Sequence, residues 1–127
     1  MPNALHHLSE DVSHEPGRVL AKATVNAAAE LGLSQRDMAQ IIGVSEATAS
    51  RMRDGGYALS GKPFELSACL VRVYRSLDAI AGGDAETMQG WMRASNSDLG
   101  QVPRRMILDV AGLVDVMNYL DAARAPT

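Results

Sequence analysis

Six side chains within nine residues near the middle of the chain have types suited to recognition: Ser45, Glu46, Thr48, Ser50, Arg51 and Arg53. Short hydroxyls and a carboxylate can pair with base edges, and guanidinium groups can bridge phosphate oxygens or the paired acceptors of guanine. If the six share one helix, that helix presents a polar face suited to the major groove. Ser45 to Ser50 would then read sequence, while Arg51 and Arg53 set register. Gln35 and Arg36 open the preceding helix, where unpaired backbone N–H groups favour a phosphate. Other chemistries find no support. The chain has no Gly-rich phosphate loop, paired cysteines, HExxH or Gly-x-Ser-x-Gly, so neither an enzyme nor a cofactor is expected. Cys69, between Ala68 and Leu70, reads as a small core hydrophobe. His6, His7 and His14 fall in a stretch without periodicity, and a metal site needs a preformed geometry, so no metal is expected.

Positioning the six residues requires two short helices, about 35 to 42 and 46 to 54, joined by the turn Gly43-Val44-Ser45. Ala39 is small where the helices cross, and Val44 fills the angle between them. Leu33, Met38, Ile42, Ala49 and Met52 complete the inward set, which fits two helices at about 90 to 120°. From 34 to 62 there are four basic residues and three acids. Phosphate neutralisation supplies much of the affinity for DNA, so a single copy with that balance binds weakly. A homodimer with recognition helices about 34 Å apart is therefore expected on operator DNA.

The remaining composition places these helices in a small all-α protein. With 127 residues, 46% hydrophobic, and a formal net charge of -3, the chain makes one domain or two very small ones and is not a general nucleic-acid coat. Alanine, leucine and methionine outweigh aromatic and β-branched residues, which favours helix. A first helix at about 18 to 31 carries Val19, Leu20, Ala23, Ala27 and Leu31 as a stripe. A long core helix at about 64 to 81 carries Phe64, Leu66, Leu70, Val73, Leu77 and Ile80. Further helices are expected at 84 to 94, 103 to 111 and 113 to 124. Residues 1–16 read as a flexible tail or a short leading helix, 17–82 as the helix-turn-helix unit and 83–127 as a second module. One cysteine, no long apolar run and no signal-peptide layout point to a cytoplasmic protein without membrane attachment.

The second module is rich in large apolar groups for its size: Trp91, Met92, Leu99, Met106, Ile107 and Leu108, followed by Leu113, Val116, Met117 and Leu120 at helical spacing. An apolar patch on it would bind another protein. The last residues, from Asp121 to Thr127, leave two readings open, a simple solvated terminus or a tail that reaches into a partner's cleft, where Arg124 would meet acidic or phosphate-binding groups.

Leu33-Ser34-Gln35, Ala39, Gly43-Val44-Ser45 and Ser50-Arg51 resemble the helix-turn-helix of the Xre family, related to phage repressors. Trp91, Asn96, Leu99-Gly100, Pro103, Gly112, Val116 and Leu120 resemble the toxin-binding domain of Xre, MbcA and ParS-type antitoxins. Ser95 stands where that family often has proline, and Gln101 where a second glycine is common. The resemblance implies an Xre-like helix-turn-helix bundle followed by a small helical toxin-binding module. It implies an antitoxin that obstructs the NAD cleft of a RES-domain toxin and represses the shared operon. Toxin contacts would fall on Trp91, Asn96, Leu99, Pro103, Val116, Leu120 and Arg124. The residues by themselves leave room for a stand-alone repressor with a helical dimerisation module, or for a protein-binding adaptor with a vestigial helix-turn-helix.

Overall fold

Three helices begin where a short side chain takes the place of a missing backbone acceptor. Ser34 Oγ accepts from the Asp37 N–H at 3.0 Å, Ser45 Oγ from Thr48 N–H at 3.0 Å, and Asp109 Oδ1 from Gly112 N–H at 2.8 Å. The computed structural model describes residues 3–125, with side chains described from Glu15 onward. Seven helices and no strand occur among the described residues, as the all-α reading expects. They are α1 (Asn3–Glu30), α2 (Gln35–Ile42), α3 (Glu46–Arg53), α4 (Gly61–Ala81), α5 (Ala85–Arg93), α6 (Pro103–Met106) and α7 (Val110–Arg124).

The long helix α4 is the spine of the molecule, packing on α1 and α2 from the helix-turn-helix side and on α5 and α7 from the other. Leu70, Val73 and Leu77 of α4 are fully buried. They belong to one continuous core that also holds Ile42 and Met52 of the helix-turn-helix and Met88, Leu113 and Leu120 of the second half. Each such side chain contributes about 1.5–3 kcal/mol by leaving water. Pro63 sits in the first turn of α4, where a missing N–H has no intrahelical partner to lose.

Three expectations need correction. Helix α1 starts at Asn3, so the leading stretch, expected as a flexible tail or a separate short helix, runs unbroken into the helix expected from about 18, with Pro16 inside it. The side chains of His6, His7 and His14, and residues Pro126 and Thr127, lie outside the described residues. Gly17 lies inside α1. A Cβ there would lie 2.4 Å from the Leu59 carbonyl oxygen, and the Leu59 N–H donates to the Gly17 carbonyl at 3.1 Å, so glycine admits a neighbouring strand of chain. Val19 and Ile80, both placed on apolar stripes, are 58% and 49% exposed, because each stripe is narrower than its list of apolar residues. Finally, the helix expected over 103 to 111 ends at Met106. The Asp109 cap then opens α7, and Gly112 lies in that helix's first turn instead of before it.

Candidate functional site

Helices α2 and α3 meet through small residues. Ala39 and Ala49 are buried at the crossing, and Gly43 turns the chain with φ +76°, a conformation that disfavours any residue with a Cβ. The Gly43 and Val44 N–H groups both donate to the Ala39 carbonyl, at 2.9 and 3.0 Å, closing α2 before α3 starts. Val44 is half-buried against the core, as its place in the angle requires.

The outer face of α3 is partly as expected. Ser45, Glu46, Arg51 and Arg53 are exposed, Ser50 and Gln35 are half-buried, and Arg36 is exposed at the start of α2. Thr48 is different. It is buried, and its Oγ1 accepts from the Ser45 hydroxyl at 3.1 Å and from Arg51 Nη2 at 3.0 Å. Thr48 is therefore a strut that aims Arg51 and is withdrawn from a groove, which leaves Glu46, Ser50 and the exposed Ala47 as the outward residues at the helix start. Arg51 also lies 5.6 Å from the ring centroid of Tyr57, a cation–π contact that fixes the guanidinium further. Held from two sides, Arg51 loses less side-chain freedom on meeting a phosphate or a guanine edge. Arg53 donates to Ser50 Oγ at 3.4 Å and lies 3.7 Å from Asp54. Beside it, Arg18 and Lys22 of α1 line the same groove as Arg53 and Tyr57. These two cations escape a reading confined to the helix-turn-helix segment, although their i, i+4 spacing already places them on one face of α1.

The second half carries an aromatic pair. Trp91 of α5 and Tyr119 of α7 stack with ring centroids 6.2 Å apart and an interplanar angle of 18°, both half-buried. The Tyr119 hydroxyl donates to Asp98 Oδ2 at 2.7 Å, a bond that, with desolvation, holds the phenol above its ordinary pKa. Asn96 shapes the loop between α5 and α6: its Oδ1 accepts from the Asp98 and Leu99 N–H groups, both at 3.0 Å. Gly100 completes that turn with φ +79°. The result exposes part of Trp91, Leu99 and Tyr119 together with hydrogen-bonding groups, a mixture suited to a protein partner.

Three of the expected partner-contacting residues do not reach the surface. Val116 and Leu120 are 0% and 1% exposed, and Pro103 is buried at the start of α6, so these residues fix α6 and α7 in place and offer nothing to a partner directly. Arg124 is exposed but turned back on its own chain, its Nη1 donating to Ser76 Oγ at 3.4 Å. Tyr119 is half-buried beside Trp91, and Val110, at the other end of α7, is 57% exposed. Cys69 is half-buried against the core. Among the described residues no three His, Cys, Asp or Glu side chains gather as metal ligands, and no helix is long and apolar enough to cross a membrane.

With these two arrangements in view, comparison with known families is direct. Residues 10–72 match the antitoxin Xre-like helix-turn-helix domain, and residues 76–125 match the antitoxin Xre/MbcA/ParS C-terminal toxin-binding domain. No curated protein matches the chain. The first match contains α2, α3 and the Arg51 platform, and the second contains the Trp91–Tyr119 pair and the Asn96 turn. The chain belongs to the antitoxins that join an Xre-like helix-turn-helix domain to an Xre/MbcA/ParS C-terminal toxin-binding domain.

Proposed function

We propose that this antitoxin neutralises a RES-domain toxin through its C-terminal module and, as a homodimer, represses its own operon by laying α3 in the major groove of operator DNA. The observation that carries the DNA half is the arginine of α3 held by Thr48 and Tyr57, because a guanidinium already oriented gives up less freedom when it meets a phosphate or a guanine edge. The toxin half rests on the family match over residues 76–125 and on the surface built from Trp91, Leu99 and Tyr119. The RES assignment rests on what the resemblance to Xre, MbcA and ParS-type antitoxins implies, a resemblance carried by Trp91, Asn96, Leu99-Gly100 and Pro103. The chain acts by binding alone, in the cytoplasm, with no catalytic step of its own.

Co-expression with the protein encoded beside it tests the proposal. Growth arrest by that protein should be relieved by this chain, and cellular NAD should recover with it. Arrest that persists with both proteins present refutes the neutralisation. Repression is tested separately with a reporter driven by the upstream region, which should fall silent when the chain is supplied and stay silent less well with Arg51→Ala.

A further inference from the structure

The C-terminal module is acidic in total, with four arginines against six acids from residue 83 onward, yet three of those arginines gather at one place. Arg93 of α5 and Arg104 and Arg105 of α6 line a recess of about 400 Å³ whose one acidic side chain among the described residues is Asp37, from the first turn of α2. Arg104 Nη2 reaches Asp37 Oδ2 at 3.4 Å. Arg93 and Arg105 are exposed and form part of the same lining. Asp37 immediately follows Gln35 and Arg36, and the first helix of a docked helix-turn-helix crosses the phosphate backbone. The recess therefore opens next to the part of the fold that approaches phosphates.

We propose that this recess takes backbone phosphates of the same duplex whose groove receives α3, so that the C-terminal module is itself part of the DNA interface. This rests on the DNA-binding reading above. It resolves a difficulty in that reading, since residues 34 to 62 hold four cations and three acids, a surplus of one. The recess adds three cations, and Asp37, the carboxylate that lines it, is already one of those three acids. Charge concentrated against the sign of its own module, beside α2, fits a polyanion that lies along α2 better than an acidic protein patch elsewhere. Arginine is suited to the task because its planar fork bonds two phosphate oxygens at once. The contacts carry no base information, so they strengthen grip on every sequence alike. Asp37 restrains that grip by occupying Arg104 when no duplex is present.

The test uses the full-length chain, a duplex of its own upstream region and a scrambled duplex of equal length, titrated from low to moderate salt. Arg93→Gln with Arg105→Gln, both at exposed positions, should weaken both duplexes by a similar factor. It should also make the dependence of log K on log salt shallower by about 1.8, from about 0.9 per phosphate released. Asp37→Asn should do the reverse, tightening both duplexes and steepening the slope, a gain that a purely structural ion pair would not give. Thermal melts of the variants matching the parent exclude loss of fold as the cause. An unchanged salt slope in the double variant, while Arg51→Ala still weakens the upstream duplex, overturns this proposal and leaves the DNA reading standing. Unchanged DNA binding with loss of capture of the neighbouring gene product would assign the recess to the protein partner and overturn it as well. If the parent chain binds neither duplex at low salt, both readings fall.

Discussion

Gly112 offers the sharpest test of how the second half is built. A Cβ at that position would lie 1.9 Å from the Met106 carbonyl oxygen, 2.6 Å from its carbon and 3.0 Å from its Cα, all backbone atoms that cannot rotate away. Ordinary contact begins near 3.4 Å, so Gly112→Ala must push α6 and α7 apart by more than an ångström. Overpacking of this kind costs about 1–3 kcal/mol, and with backbone as the obstacle the cost sits at the top of that range, about 3 kcal/mol. Against that, alanine gains about 1 kcal/mol over glycine inside a helix. This leaves a net expected loss of about 2 kcal/mol and lowers the melting temperature of a chain this size by roughly 8 °C. Gly90 supplies the control, since it lies within α5 and a Cβ there meets nothing within 4 Å. Gly90→Ala should therefore raise stability by about 0.5–1 kcal/mol. Circular dichroism melts of the two variants beside the parent decide it. If Gly112→Ala melts at or above the parent, the close approach of α7 to Met106 is not real and the packing argument for this module fails.

Arg51→Ala should weaken the upstream duplex and reduce the salt slope by about 1, as expected for one lost phosphate contact, in gel-shift titrations at several salt concentrations. Tyr119→Ala should cut affinity for the toxin by about 2 kcal/mol, roughly 30-fold, in calorimetry, while operator binding at fixed salt stays at the parental value. Among the described residues Ser67 Oγ is buried without a hydrogen-bond partner, so Ser67→Ala should stabilise the fold by about 1 kcal/mol in urea unfolding. The Tyr119 phenol ordinarily titrates at 10.0 and is raised by its bond to Asp98, so the folded chain keeps a proton that the unfolded chain releases. That share of stability is complete below the ordinary value and lost as pH climbs through the raised one, and Tyr119→Phe should flatten the alkaline end of a stability–pH curve.

Local chemistry made the helix-turn-helix legible. Ser34 and Ser45 announce the starts of α2 and α3, and Gly43 and Gly82 stop α2 and α4 in the left-handed conformation that the sequence pattern calls for. Gly17 and Gly112 use the same residue type for another purpose, room for an approaching backbone, and nothing in their own neighbours distinguishes that use from a stop. Tyr119 went unread because its partner Trp91 lies on a different helix, and stacking across helices leaves no periodic trace. Thr48 was legible as a polar residue on α3 but not as an inward one, since its direction is set by Ser45 and Arg51 on either side of it. Val116 and Leu120 were read correctly as one stripe of α7, and the structure turns that stripe to the core.

The stretch between residues 72 and 76, where one family match stops and the next starts, is uninterrupted helix inside α4. A rod has a phase as well as a length. One residue added there would advance everything downstream by about 100° and 1.5 Å, swinging the aromatic pair to a new bearing relative to α3. The angle between α3 and the aromatic pair is thus written as a whole number of residues, and a chimera spliced from two relatives keeps it only when the splice preserves that count.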